Sequence, residues 1–391
     1  MDFDVIIVGA GLVGASLAAA LKDSGLRLAL VENAAPPALP RDDSWDSRIY
    51  AITPANAAFL DRLGVWSQLD PSRITPVSEM HIFGDDGRAR LDFDAYEAGL
   101  SELTFIAESR LIQDGLWRAL QKQDNLELIA PARCANLLLG EDAAVLRLED
   151  GRELRAALVV GADGRESWVR SQAGIEAKPT PYRQLGVVAN FDTELPHGNA
   201  ARQWFREDGI LAWLPLPGKR ISIVWSAFED LAAELMALPP EAFCARVQEA
   251  GHNALGELRL ITPPAAFSLR VLHLDHLVKS RLALVGDAAH NVHPLAGQGV
   301  NLGFQDAAEL AKVLMERGPQ RDCGDHLLLR RYDRARQEDI LAMQLLTTGL
   351  QRLFNNNNPL LRTMRNLGLS FTGSQSWLKN RLVQHAAGKS L

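Results

Sequence analysis

Cysteine is scarce in this chain: Cys134, Cys244 and Cys323 are the only three in 391 residues. None belongs to a CxxC pair, which argues against a disulfide framework or a structural zinc site. Their spacing fits reduced, partly buried thiols in a cytoplasmic protein. Excess positive charge is also missing. The formal net charge is −7, so nucleic-acid binding has no bulk electrostatic support. No apolar run reaches the roughly 18–20 residues that a membrane-spanning helix needs. The apolar stretch after Asp4 lacks the basic start of a signal peptide, and strand and turn signals cut it up. There is no internal repeat, and the four asparagines at 355–358 read as a short polar loop.

What is present begins at once, in DFDVIIVGAGLVGASLAAAL. Residues 3–8 form the short β-branched run of a buried parallel strand. From Leu12 the pattern turns helical and stops at Ser24-Gly25. A second strand, 28–31, ends at Glu32. Within this βαβ unit each glycine of GxGxxG has a task. Gly9 permits the tight turn, Gly11 lets backbone approach a pyrophosphate, and Gly14 lets helix pack closely on strand. The helix N-terminus offers free N–H groups to phosphates. Glu32 stands where an acid can accept hydrogen bonds from a ribose diol. The fingerprint holds an ADP half and does not distinguish NAD from FAD.

Further along, residues 33–52 read as a Pro- and Asp-rich loop. Thr53-Pro54 opens a helix to about Leu63. Strand-like runs follow at 77–83 and 89–93, then a helix at 109–123. Strands are expected at 126–129, 143–148 and 154–160. Residues 178–278 are strand-rich, with examples at 186–191 and 221–227, and carry one helical insert at 240–250. A buried strand at 281–285 precedes Gly286-Asp287, and helices are expected at 300–317 and over most of 327–353. Trp204, Trp213 and Trp225 read as core or pocket wall.

Two more motifs follow the fingerprint. In LVVGADGRESWVR a buried strand leads to Asp163-Gly164. In RLALVGDAAHNVHPLAGQGVNLGFQDAAEL a strand leads to Gly286-Asp287, then Pro294 and Gly297-Gln298-Gly299 before a helix. Taken alone, Asp163-Gly164 is a common turn, Asp287 a common cap, and Arg48 and Arg110 ordinary surface charges. In this order, though, the three motifs resemble the class A FAD-dependent aromatic monooxygenases over nearly the whole chain. HPLAGQGVNLGFQDAAELA, NPLLRTMRNLGL, DSRIYAIT and ILAWLPL make the chain similar, among these, to the ubiquinone-biosynthesis ring hydroxylases, which act on polyprenylated phenols.

The resemblance implies an α/β fold. A glutathione-reductase-like, Rossmann-type FAD-binding domain would be built from 1–76, 107–177 and 279–325. A β-rich substrate domain, 77–106 and 178–278, would be inserted in it, with a helical region at 326–391. It implies that NAD(P)H, held transiently, reduces FAD, that O2 adds at flavin C4a, and that the resulting hydroperoxide transfers one oxygen atom to an electron-rich ring. It places Gly9, Gly11, Gly14, Glu32, Arg48, Arg110, Asp163, Gly286 and Asp287 at FAD, with Asp287 on the ribityl chain. Gly297, Gln298, Gly299, Val300 and Asn301 would bring backbone N–H groups to the flavin pyrimidine edge, and Pro294 with Gly297 would keep the loop thin and rigid beside the isoalloxazine ring. His290 and His293 would be loop residues lining the flavin pocket. Their HxxH spacing lacks a third ligand and does not suggest a metal. No catalytic base can be named. Two other readings stay open: a hydroxylase or reductase of a soluble small molecule, and a non-catalytic FAD-binding subunit of a biosynthetic complex.

The last 41 residues, 351–391, hold six Lys or Arg and no acid. Apolar residues interleave with these cations. The pattern fits peripheral contact with an anionic membrane, or with a partner in a biosynthetic complex, and fits equally a tail docked on the acidic body.

Overall fold

The computed structural model describes residues 1–40, 42–85, 89–293, 297–318 and 320–354, except the side chains of Arg352 and Phe354. Pro294 and nearly all of the basic stretch 351–391 therefore lie outside the described residues.

Four apolar strands, Leu282–Leu284, Glu153–Gly161, Phe3–Val8 and Leu28–Val31, lie side by side in parallel, and Leu126–Ile129 extends them. These strands are buried on both faces because helices cover them, which is why they read as continuous hydrophobic runs rather than alternating ones. Helices Leu12–Ala20, Ser109–Leu120 and Gln298–Met315 pack together in this core. Register aligns the strand ends: Val8 pairs with Gly161 and Val31, and Gly161 with Leu284. The turns after all these strands consequently emerge at one carboxyl edge, where open α/β sheets bind ligands.

A second sheet is mostly antiparallel. Its order is Leu258–Leu260, Thr180–Thr193, Arg220–Phe228, Gly209–Leu216, Ala200–Arg206, Glu79–Phe83 and Arg90–Asp94, with Ala265–Val271 also on Thr180–Thr193. Alternation along its strands splits the side chains between two faces. Trp204, Trp213 and Trp225 go to the face covered by helices Glu229–Ala237 and Pro240–Ala250 and are core. The other face bounds a cavity. A small third sheet joins Ile49–Ile52, Thr104–Glu108 and Thr75–Val77.

Ile49–Ile52 corrects the expectation of a loop through residue 52. Four residues give too little periodicity to be seen alone; antiparallel pairing with Thr104–Glu108 makes them a strand. Thr53 caps the next helix as expected, its hydroxyl accepting from the Asn56 N–H at 3.4 Å. The insert Pro240–Ala250 is helical, and a second helix, Glu229–Ala237, precedes it. Among the described residues no helix is long and apolar enough to cross a membrane.

Candidate functional site at the carboxyl edge of the parallel sheet

Two of the three fingerprint glycines are forced by the geometry of the protein itself. Gly9 has φ +103°, and a Cβ there would lie 2.5 Å from the Ala162 carbonyl oxygen. A Cβ on Gly14 would fall 2.0 Å from the Gly9 oxygen, so the helix rests directly on the turn. Gly11 is different: a Cβ there would meet nothing within 4 Å, and the residue opens onto a cavity. Glu32 ends its strand with its carboxylate turned to the same loop, accepting the Ala10 N–H at 2.6 Å and the Ala34 N–H at 3.3 Å. Gln113 donates to the Ala10 carbonyl at 2.7 Å and lines the cavity too.

That cavity has a volume of about 1480 Å³ and runs from the carboxyl edge to the open face of the second sheet. Arg48, Gly286 and Asp287 line it, as do Gly297, Gln298, Gly299 and Val300 at the start of helix Gln298–Met315. Gly297 is left-handed (φ 63°) and turns the chain into the helix, so the first N–H groups of an 18-residue helix face the cavity. Asp287 is surrounded by protein yet open to the cavity, and no hydrogen bond reaches its carboxylate among the described residues. Burial pushes its carboxyl above the usual carboxylate range, against the pull of His290, Arg165 and Arg270.

Other expected site residues sit around the cavity rather than in its wall. Arg110 donates to Glu108 at 2.9 Å and to Ser44, and Arg73 reaches the other oxygen of the buried Glu108 at 2.6 Å. The pair ties the 44–48 segment to the third sheet. Asp163 accepts from the Ser167 hydroxyl at 2.6 Å and the Val169 N–H at 2.9 Å, capping a short helix. Its neighbours Gly164 and Arg165 face the cavity instead. Asn301 accepts from the Thr53 N–H and Asn56 amide at 3.1 and 2.8 Å and donates to Ala51, which fixes the helix start against strand Ile49–Ile52.

The two histidines depart from the expectation that they line the pocket. His290 is buried with its Nε2 2.6 Å from Asp306 Oδ2. The same oxygen accepts the Gly286 N–H at 2.9 Å, and Arg336 donates to Oδ1 at 2.8 Å. Burial would raise the Asp306 carboxyl, but the charges and hydrogen bonds of His290 and Arg336 outweigh it and hold it low. A charged partner thus drew His290 beneath the Gly286-Asp287 turn. His293 packs edge-on against Tyr182, and its Nε2 lies 3.2 Å from the side-chain amide oxygen Oε1 of Gln184; burial pushes its pKa down to about 4. Among the described residues no cluster of His, Cys, Asp or Glu could hold a metal ion.

A family model for an FAD-binding domain matches residues 2–345. The chain belongs to this FAD-binding family. Over 388 residues it is 36% identical to a ubiquinone hydroxylase of Rhodospirillum rubrum, UbiL, covering 98% of this chain and 89% of that protein. A 3-demethoxyubiquinol 3-hydroxylase of Escherichia coli is 35% identical, with 98% of each chain covered. Among solved structures, a probable FAD-dependent monooxygenase from Pseudomonas aeruginosa superposes with a TM-score of 0.76 at 25% identity, covering 94% of this chain and 99% of the other.

The residues at the carboxyl edge fit the family's cofactor. Gly11 leaves open space where a side chain would intrude, the start of helix Gln298–Met315 lines the cavity, and no donor among the described residues reaches the Asp287 carboxylate. A polyol and pyrophosphate supply the hydroxyls and the negative charge that these groups call for. Sequence reasoning missed Gln113, Asn56, Arg170, Asp306 and Arg336. Arg170 donates to the Ala288 carbonyl at 2.8 Å and braces the same turn.

Proposed function

We propose that the chain is an FAD-dependent, NAD(P)H-using monooxygenase that hydroxylates the aromatic ring of a polyprenylated phenol in ubiquinone biosynthesis. One observation carries the substrate class. The cavity continues from Asp287 and the helix start over an apolar floor, Ile82, Ile210, Ala212 and Val224, and ends under Leu350 and Leu353 of the last helix. A polar head near the cofactor and a greasy tail toward that helix match this gradient, and the names of the two relatives agree with it.

In this reading, Gly9, Gly11 and Gly14 admit the pyrophosphate and Glu32 takes the adenosine ribose. Asp287 accepts from ribityl hydroxyls. The N–H groups at Gly297–Val300 stabilise negative charge at the pyrimidine edge. Arg48 adds a cation to the cavity wall. When bound, FAD supplies the redox chemistry that puts one atom of O2 on the ring; the protein positions the ring and keeps water out. The basic stretch 351–391 and the exposed Leu341, Leu345 and Leu346 support peripheral contact with an anionic membrane that carries such a substrate.

The test is a gene deletion with identification of the quinone precursor that accumulates, paired with assays of the purified protein. Yellow protein that oxidises NAD(P)H and hydroxylates a prenylated phenol is expected. Protein that shows no flavin absorbance, even after incubation with FAD, overturns the reading. Equal turnover of the unprenylated phenol moves it to a soluble substrate.

A further inference from the structure

The cavity-facing side of the second sheet is apolar except at a few positions, and these are not paired. Gln203 and Ser226 are 5% and 4% exposed, and both line the cavity. Neither the Gln203 amide nor the Ser226 hydroxyl has a hydrogen-bond partner among the described residues. Both open to the cavity, so their persistence on an otherwise apolar floor points to a partner supplied from the cavity.

Register places them around one gap. Gln203 pairs with Ala212, Ala212 with Val224, and Ser226 lies two residues beyond Val224 on the same strand. With strands about 4.8 Å apart and about 3.4 Å per residue, their Cα atoms are roughly 12 Å apart. The line between them passes between Ala212, with only a methyl group, and Ile210, which pairs with Ser226. That span suits a ring carrying two oxygens, with a hydrogen bond of about 2.8 Å at each end. The chemistry of the pair narrows the ring further. An amide and a hydroxyl both donate and accept, so they serve phenol, methoxy or quinone oxygens. Among the described residues, the guanidinium of Arg202, which also lines the cavity, is engaged with the His197 and Ala200 carbonyls at 3.3 and 3.2 Å.

We propose that Gln203 and Ser226 form the subsite that grips the uncharged oxygen substituents of the aromatic ring, setting its orientation over Ala212 and discriminating against rings that bear a carboxylate. This rests on the ring-hydroxylase reading and goes beyond it by naming the specificity determinants.

The test uses the full chain loaded with FAD and follows flavin fluorescence as ligand is added, with no turnover. The ligands are a dimethoxyphenol with a short prenyl tail, the same tail on a ring without oxygens, and the same tail on a benzoate. Gln203→Leu and Ser226→Ala should each weaken the dimethoxyphenol by about tenfold and leave the oxygen-free ring unchanged. Wild type should bind the benzoate at least tenfold more weakly than the phenol. Ser226→Ala removes one atom from a small side chain, so a folding failure in Gln203→Leu does not decide the matter. Equal weakening of both neutral rings, no weakening of either, or benzoate binding as tight as phenol overturns the subsite. If wild type binds FAD but none of the three ligands, the ring-hydroxylase reading fails with it.

Discussion

The two walls of the cavity are built on opposite plans. At the carboxyl edge of the parallel sheet, most polar side chains are spent on the protein itself. Glu32 holds the Ala10 N–H, Asp163 caps a helix, Asn301 stitches a strand to a helix, and Asp306 holds the Gly286 turn from below. Gly11, Gly164, Gly286, Gly297 and Gly299 bring backbone to the cavity there, and Asp287 and Arg48 face it without a side-chain hydrogen bond among the described residues. On the sheet floor the backbone is consumed by ladder pairing and side chains face the cavity. A cofactor shared by a whole family can be met by backbone groups, whose positions depend on fold. A substrate must be met by side chains, which can change without disturbing the ladder.

If the cofactor wall is braced from beneath, cutting the brace should have the largest effect. Asp306→Ala leaves Arg336 and His290 buried without their shared carboxylate, and Arg336 keeps only weaker contacts such as exposed Asp339. We expect a loss of about 3–5 kcal/mol in urea unfolding, the usual result of stranding a buried charge, with FAD binding lost as the Gly286 turn loosens. A change under about 1 kcal/mol would mean that the turn stands without its support. Next comes the fingerprint. Gly9→Ala must place a Cβ against the Ala162 carbonyl at positive φ; strain of about 1–3 kcal/mol should appear in thermal unfolding and FAD affinity should fall at least tenfold.

These two cases also show what was legible. Gly9, Gly11 and Gly14 could be read because they recur at fixed spacing, within six positions, between a strand and a helix. Asp306 could not. Its partners lie 16, 20 and 30 residues away in sequence and meet only after three elements pack. The same distance hid Gln113, whose contact to Ala10 spans 103 positions, and it explains why His290 was expected at the cavity wall. The alternation that sends Trp204, Trp213 and Trp225 to the core and Gln203 and Ser226 to the cavity is visible in the strands, but which face meets a cavity is decided by the other sheet.

A third prediction probes the join between the walls, where His293 contacts Gln184 of the second sheet. Burial lowers its pKa from the ordinary 6.5 to about 4. In this window the unfolded chain binds the proton and the folded one refuses it, so the stability is fully present above pH 6.5 and is lost as pH falls toward 4. The shift corresponds to roughly 3 kcal/mol across the window. Urea unfolding at pH 7, 5.5 and 4.5 should show this decline, and His293→Gln should flatten it. An unchanged slope in the variant would assign the decline to other groups.

The smallest expected effect distinguishes the walls most directly, because it predicts a gain and a loss in one variant. The Asp287 carboxylate at the Gly286 turn has no hydrogen bond among the described residues, and burial raises its pKa above that of the unfolded chain. For a carboxyl the sign is then opposite to that of a salt-bridged acid: the folded state holds the proton longer, and stability falls as pH rises past the unfolded value of 3.8. At neutral pH, Asp287→Asn should therefore raise the melting temperature of FAD-free protein, while weakening FAD binding by about tenfold through the lost charge-assisted hydrogen bond. If Asp287 were only a turn cap, its amide variant would lose stability and leave FAD affinity alone. A carboxylate that costs stability in the empty protein, and restores more than it costs once a polyol is in place, is a binding group. Asp163, Glu32 and Asp306, already engaged with the backbone around them, should instead lose stability in the FAD-free protein when changed to amides.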